Sequence, residues 1–222
     1  MTLSAVLQGQ DRSALIKIVL AASVLAGASY LLAVYQQLSG PMIIFWKGLG
    51  VGLLALYAAL SAKDRNGFQI MLVLALGAAG DVVLDIHFVL GAALFAVGHV
   101  LAINLYWRNR RASQRTSQRL LSLALFLGVP LISWQLTKRP EVLFYALILG
   151  GMAAMAWTSR FSRYHVGVGA IFFAVSDLLI FARMGPLSGM LWVSIGVWSL
   201  YYAGQYLIAT GVTQASALSS PA

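Results

Sequence analysis

The sequence predicts an all-α fold: a polytopic bundle of about eight transmembrane helices with both termini in the cytoplasm. Three observations carry this. The 222 residues are 60% hydrophobic and only 9% charged, where a soluble domain carries about 25% charged residues. The apolar residues fall into eight runs, each near the ~20 residues that one crossing needs. The basic residues gather in the short segments between those runs.

In chain order, a polar lead of 1–12 precedes a first helix at 13–35, expected to be retained rather than cleaved as a signal peptide, since no small-residue cleavage site leads into a soluble region. Gln36-Gln37-Leu38-Ser39-Gly40-Pro41 is a turn, with Pro41 suited to a helix start. The second helix spans 42–62 and is ended by Lys63-Asp64-Arg65-Asn66-Gly67. The third spans 68–87 and the fourth 89–107. Arg108, Arg110, Arg111, Arg115 and Arg119 make the next segment the most polar in the chain. Further helices are expected at 120–136, 141–159, 164–181 and 189–210, followed by a disordered polar tail. So little remains outside the helices that residues 1–222 are expected to form one integral membrane domain.

Eleven basic residues fall on the N-terminal side of this arrangement and three on the other, with Lys47 left inside the second helix. Positive residues stay in the cytoplasm, which fixes the expected orientation. The net charge of +9 is therefore read as topology control and contact with anionic lipid headgroups. No recognition motif accompanies it, so no nucleic-acid partner is expected. With no cysteine in the chain, disulfides, thiolate metal sites and cysteine nucleophiles are excluded.

Against this apolar background, Gly80-Asp81-Val82-Val83-Leu84-Asp85 and Ser176-Asp177-Leu178-Leu179-Ile180 stand out. An ionised carboxylate in hydrocarbon costs roughly 2.5–3.5 kcal/mol on insertion scales, so it faces a protein interior or a cavity and has a task. Asp81 and Asp177 each lie about 13 residues into an outward-running helix, about 20 Å deep at 1.5 Å per residue. Lys47 enters from the other end of its helix to a similar level. Three ionisable groups thus share the outer half of the membrane, which points to one site or to a buried ion pair that only fixes packing.

Asp85 is i+4 from Asp81 and shares its face, but it is also near a wet helix end. The stripe Gly91, Phe95, Gly98, Ala102 and Tyr106 reads as close helix packing. His99 beside it orients an aspartate or is a satisfied core histidine, and Asn104 has the same two readings. On the last helix, Trp198, Tyr201, Tyr202, Gln205 and Ala209 share a face; Gln205 is either an interhelical hydrogen bond or a cavity wall. No Ser-His-Asp order, HExxH, Walker loop or Rossmann fingerprint is present.

The ordered set Trp46-Lys47-Gly48, Gly80-Asp81-Val82-Val83-Leu84, Gly91 through His99, Gly169 through Asp177, and Tyr201 through Ile208 resembles the lysoplasmalogenase-like (YhhN) family of multi-pass membrane proteins. The family often has proline after the lysine, where this chain has Gly48. The resemblance implies a hydrolase that cleaves the vinyl-ether bond of lysoplasmalogens to a fatty aldehyde and glycerophosphoethanolamine or glycerophosphocholine. It also implies a lysophospholipid partner, no cofactor and no metal, with a bacterial inner membrane as the expected location.

The chemistry suits the residues. Vinyl-ether cleavage begins with protonation of the β-carbon, giving an oxocarbenium ion to which water adds. It needs a neutral acid beside a negative charge, a division two buried carboxylates can make and one that glycosidases use around a similar cation. Asp81 and Asp177 are the expected pair, in either order. Lys47 is expected to hold the ionised partner or the substrate phosphate, His99 to orient one aspartate, and Tyr202 and Gln205 to line the pocket, with Asp85 and Asn104 nearby. The rival is a proton-coupled small-molecule or lipid transporter using the same Asp, His and Lys residues. An intramembrane aspartyl protease ranks below it for want of a Tyr-Asp partner motif, and a scaffold whose polar residues merely join helices is the remaining reading.

Overall fold

The computed structural model describes residues 3–219. Eight α-helices form an all-α bundle among them: α1 (Leu3–Tyr35), α2 (Pro41–Ser61), α3 (Arg65–Ile86), α4 (Phe88–Arg108), α5 (Thr116–Thr137), α6 (Pro140–Thr158), α7 (Val168–Arg183) and α8 (Leu191–Ser219). A single π-helical turn, Arg163–Gly167, leads into α7. Seven helical stretches are long and apolar enough to cross a membrane, so this is an integral membrane protein. At 29 residues α8 has ample length. Its hydropathy is diluted by Tyr201, Tyr202, Gln205, Thr210 and Thr213, whose side chains turn inward.

The expected boundaries hold to within a few residues in the middle of the chain and fail at both ends. α1 begins at Leu3 rather than 13. α8 continues nine residues beyond the expected stop at 210, so the tail is helical through Ser219; the last three residues lie outside the described part. Packing explains the second extension. Val212, Thr213 and Ser216 are buried, and the Thr213 and Tyr57 hydroxyls are hydrogen-bonded at 3.0 Å. Pro130 lies inside α5 and is buried, packed against α6, where a Cβ on Gly150 would lie 3.3 Å from the proline ring; a neighbouring helix is what lets a membrane helix tolerate proline.

Local chemistry sets the other ends. Asp64 caps α3 by accepting from the Gly67 N–H at 2.8 Å, the usual role of an N-cap carboxylate. Only His87 separates α3 from α4. The two helices then pack tightly: a Cβ on Gly91 would lie 2.4 Å from the Leu84 Cα. Thus the small-residue stripe of α4 is a packing surface, with Gly91, Phe95, Gly98, Ala102 and Tyr106 all buried.

Sequential helices pack as hairpins, with two departures. α4 packs on α6 and makes no comparable contact with α5, which lies outside against α6 and α7. α8 runs through the middle and touches α1, α2, α3 and α7. The α7–α8 crossing is the closest kind. A Cβ on Gly204 would stand 2.7 Å from the Gly169 carbonyl oxygen, and one on Gly169 would stand 2.8 Å from the Gly204 oxygen. Backbone on both sides cannot yield without separating the helices. Gly204→Val is therefore expected to cost about 1–3 kcal/mol, typical of overpacking, seen as a clear fall in melting temperature in detergent. A melting curve like that of the parent protein would contradict this packing.

Candidate active site

Asp81 and Asp177 come from α3 and α7, helices that flank the central α8. Both are buried, at 3% and 6% exposure, and both line one cavity of about 480 Å3 at the end of the bundle opposite the termini. That volume is in the range of small-molecule sites. The cavity is largely walled by Val, Leu, Ile, Ala and Phe side chains from α1, α3, α4, α6, α7 and α8.

Glycine makes room for the first aspartate. A Cβ on Gly77 would lie 3.0 Å from Gln205 Nε2, and one on Gly80 would lie 2.8 Å from the Phe95 ring. The two small residues before Asp81 thus let α8 and α4 close around it.

Each carboxylate has its own tyrosine. Tyr201 of α8 donates its hydroxyl to Asp81 Oδ2 at 2.7 Å. Tyr145 of α6 donates to Asp177 Oδ2 at 2.6 Å. Each tyrosine oxygen in turn meets one more polar group. Gln205 Nε2 donates to Tyr201 Oη at 3.4 Å, and His99 Nε2 lies 3.2 Å from Tyr145 Oη. When Asp177 is ionised it takes the phenolic proton of Tyr145, and the imidazole then donates from Nε2. Two short chains result, Gln205–Tyr201–Asp81 and His99–Tyr145–Asp177. Phe173 holds both together: its ring is 4.9 Å from that of His99 and 5.3 Å from that of Tyr201, edge to face.

Lys47 also lines the cavity, but its ammonium pairs with Asp85 Oδ1 at 2.7 Å rather than with either deeper aspartate. Sequence depth put Lys47 at the right level; the packing of α2 on α3 turned it toward the residue one helical turn further out. His99 reaches Asp177 only through Tyr145. Gln205 is likewise one residue removed from Asp81. It borders a separate pocket of about 20 Å3, shared with His99 and Tyr106, which has room for about one water.

Four of the expected residues do not line the large cavity: His99 and Gln205 stand behind the two tyrosines, and Tyr202 and Asn104 lie elsewhere. The Tyr202 hydroxyl sits 2.8 Å from Ser23 Oγ, and its ring lies over Gly27 and Gly50, joining α8 to α1 and α2. Asn104 accepts from Gln69 Nε2 at 3.1 Å, in a polar cluster with Arg108 at the end of the bundle that holds the termini. Those assignments fail because Tyr202 is rotated about 100° from its neighbour Tyr201 on the same helix, and Asn104 lies more than a turn beyond His99.

Tyr145 escaped notice in the sequence, and Tyr201 was seen only as one member of a helix face. A signal existed for each. Tyr201 is i−4 from Gln205 and so shares its face. Tyr145 lies five residues inside α6, deeper than the interfacial belt where membrane tyrosines concentrate. Among the described residues no three His, Asp or Glu side chains are grouped closely enough to hold a metal ion.

The cavity is open at its rim. Phe88 and Val89 of α4 and Phe144 of α6 line it and are also 45%, 66% and 69% exposed. The gap between the starts of α4 and α6 therefore faces the lipid.

No curated protein and no solved structure matches the chain. The model of the YhhN family matches residues 42–212, a span that begins as α2 begins and includes Lys47, Asp81, Asp177 and the tyrosine partners of these two aspartates. The chain belongs to the YhhN family.

Proposed function

We propose that this membrane protein is a lysoplasmalogenase-like hydrolase that cleaves the vinyl-ether bond of a lysophospholipid by acid–base catalysis with Asp81 and Asp177. The observation that carries the reading is that two buried carboxylates, from separate helices, line one largely apolar cavity. One carboxyl group delivers its proton to the β-carbon of the vinyl ether. The other, ionised, stabilises the oxocarbenium ion at the α-carbon and takes a proton from the water that adds there. The resulting hemiacetal collapses to a fatty aldehyde and the free glycerol hydroxyl of glycerophosphoethanolamine or glycerophosphocholine. The sum is one vinyl ether plus one water, with no redox change.

Tyr201 and Tyr145 hold the two carboxyl groups in register, and Gln205 and His99 hold the tyrosines. The apolar side chains around the two carboxyl groups offer the cation few partners besides the carboxylate, which strengthens that interaction. With the arginine-rich segments in the cytoplasm, both termini are cytoplasmic and the cavity opens toward the opposite leaflet of a bacterial inner membrane. A transporter would require continuity toward the other end of the bundle; the separate pocket beside His99 and Tyr106 has room for about one water.

The test is the purified protein given a lysoplasmalogen, with an ester-linked lysophospholipid of the same chain length as control. Aldehyde release from the vinyl ether and none of the corresponding fatty acid from the ester is expected. Absence of aldehyde from a well-folded preparation would reject the proposed activity.

A further inference from the structure

The rim of the cavity carries two charges that the proposed chemistry leaves unused. Arg183, in the last turn of α7, and Glu141, in the first turn of α6, both line it. Lys47 and Asp85 at the same rim neutralise each other. Among the described residues Arg183 and Glu141 have no ion-pair partner, and they are not paired with each other. One guanidinium nitrogen of Arg183, Nη1, donates to Ser194 Oγ at 3.1 Å. This aims the group while leaving most of its five N–H donors available. Each charge complements the dipole of its own helix, which accounts for its place at a helix end but not for both facing one cavity.

We infer that Arg183, Ser194 and Glu141 form a subsite for a zwitterionic phosphodiester headgroup, with Arg183 and Ser194 binding the phosphate and Glu141 the terminal amine. Guanidinium suits phosphate because it can donate two parallel hydrogen bonds. Depth agrees as well. Arg183 is six residues beyond Asp177, about 9 Å along the axis, and Glu141 is one turn beyond Tyr145 on the same face of α6, about 6 Å. A glycerol backbone separates a phosphate from the first atom of the chain by roughly the rise of one to two helical turns. A lipid seated with its phosphate on Arg183 therefore brings the first bonds of its chain to the level of Asp81 and Asp177.

The subsite rests on the proposed function for its lipid, but its test does not depend on hydrolysis. Equilibrium binding is measured in an uncharged detergent with ester-linked lysophosphatidylethanolamine, lysophosphatidate and monoacylglycerol of one chain length, and with chain-free glycerophosphoethanolamine. The expected order for the parent protein is lysophosphatidylethanolamine, lysophosphatidate, then monoacylglycerol, with the chain-free headgroup weakest. Arg183→Gln weakens both phosphate-bearing lipids about tenfold, as loss of a charge contact does, and leaves monoacylglycerol unchanged. Glu141→Gln weakens only the amine-bearing lipid. Equal binding of monoacylglycerol and lysophosphatidylethanolamine, or a uniform loss for all three lipids in Arg183→Gln, would overturn the subsite. Chain-free headgroup binding as tightly as the lipid would overturn its assignment to a lipid. Because none of these ligands contains a vinyl ether, a failed hydrolysis assay leaves these results standing, and the reverse also holds.

Discussion

Asp81→Asn and Asp177→Asn are each expected to reduce vinyl-ether turnover by about 10²–10⁴-fold, the contribution of a positioned general acid or base, while leaving a folded protein. Asparagine keeps the shape and can still accept from Tyr201 or Tyr145, the bonds now made at 2.7 and 2.6 Å. It has no transferable proton and no charge. Neither protonation of the β-carbon nor stabilisation of the cation survives at the altered position. The fold is not at risk in the same way, because removing a buried charge does not remove a main source of stability. The check is aldehyde release alongside size-exclusion behaviour and thermal melting in detergent. Turnover like the parent's in both variants would reject the assignment.

The second large effect is expected from Tyr145→Phe and Tyr201→Phe. Each removes the hydrogen bond to a carboxyl group and also takes from Gln205 or His99 the hydroxyl it now meets. A hydrogen bond to a charged group contributes about 1.5–3 kcal/mol, and only the part gained between ground and transition state appears in turnover. The acid acquires its negative charge as the proton leaves, so the variant facing it loses up to roughly ten- to a hundredfold; the variant facing the carboxylate that is already ionised loses less. The larger loss therefore identifies which aspartate is the acid, an order the chemistry alone leaves open. Single-turnover measurements with saturating lipid separate this from weaker binding. If both variants matched the parent, the tyrosines would be packing residues only.

What the sequence made legible was depth. Counting residues from the helix ends placed Asp81, Asp177 and Lys47 at one level, and both aspartates and Lys47 line the same cavity. Rotation about each helix axis was less accessible, because it is decided by which neighbour packs where. Lys47 thus meets Asp85 instead of Asp81, and Tyr202 points to Ser23 while its neighbour Tyr201 points to the cavity. The contact of α4 with α6 rather than α5 is what carries His99 to Tyr145; no local pattern announces a contact between non-sequential helices. The end of α8 was misjudged for a related reason. Polar residues such as Thr213 looked like tail but are buried at 2% exposure against other helices, where hydrophobic counting has nothing to register.

The lipid-facing gap between Phe88, Val89 and Phe144 bears on how catalysis would scale. A reactant arriving sideways from the bilayer never dissolves in the aqueous phase. Its effective concentration is a mole fraction within a two-dimensional fluid, so bystander lipids dilute it even when the bulk amount is constant. Saturation would then track membrane composition, and any rate constant would belong to the bilayer as much as to the enzyme.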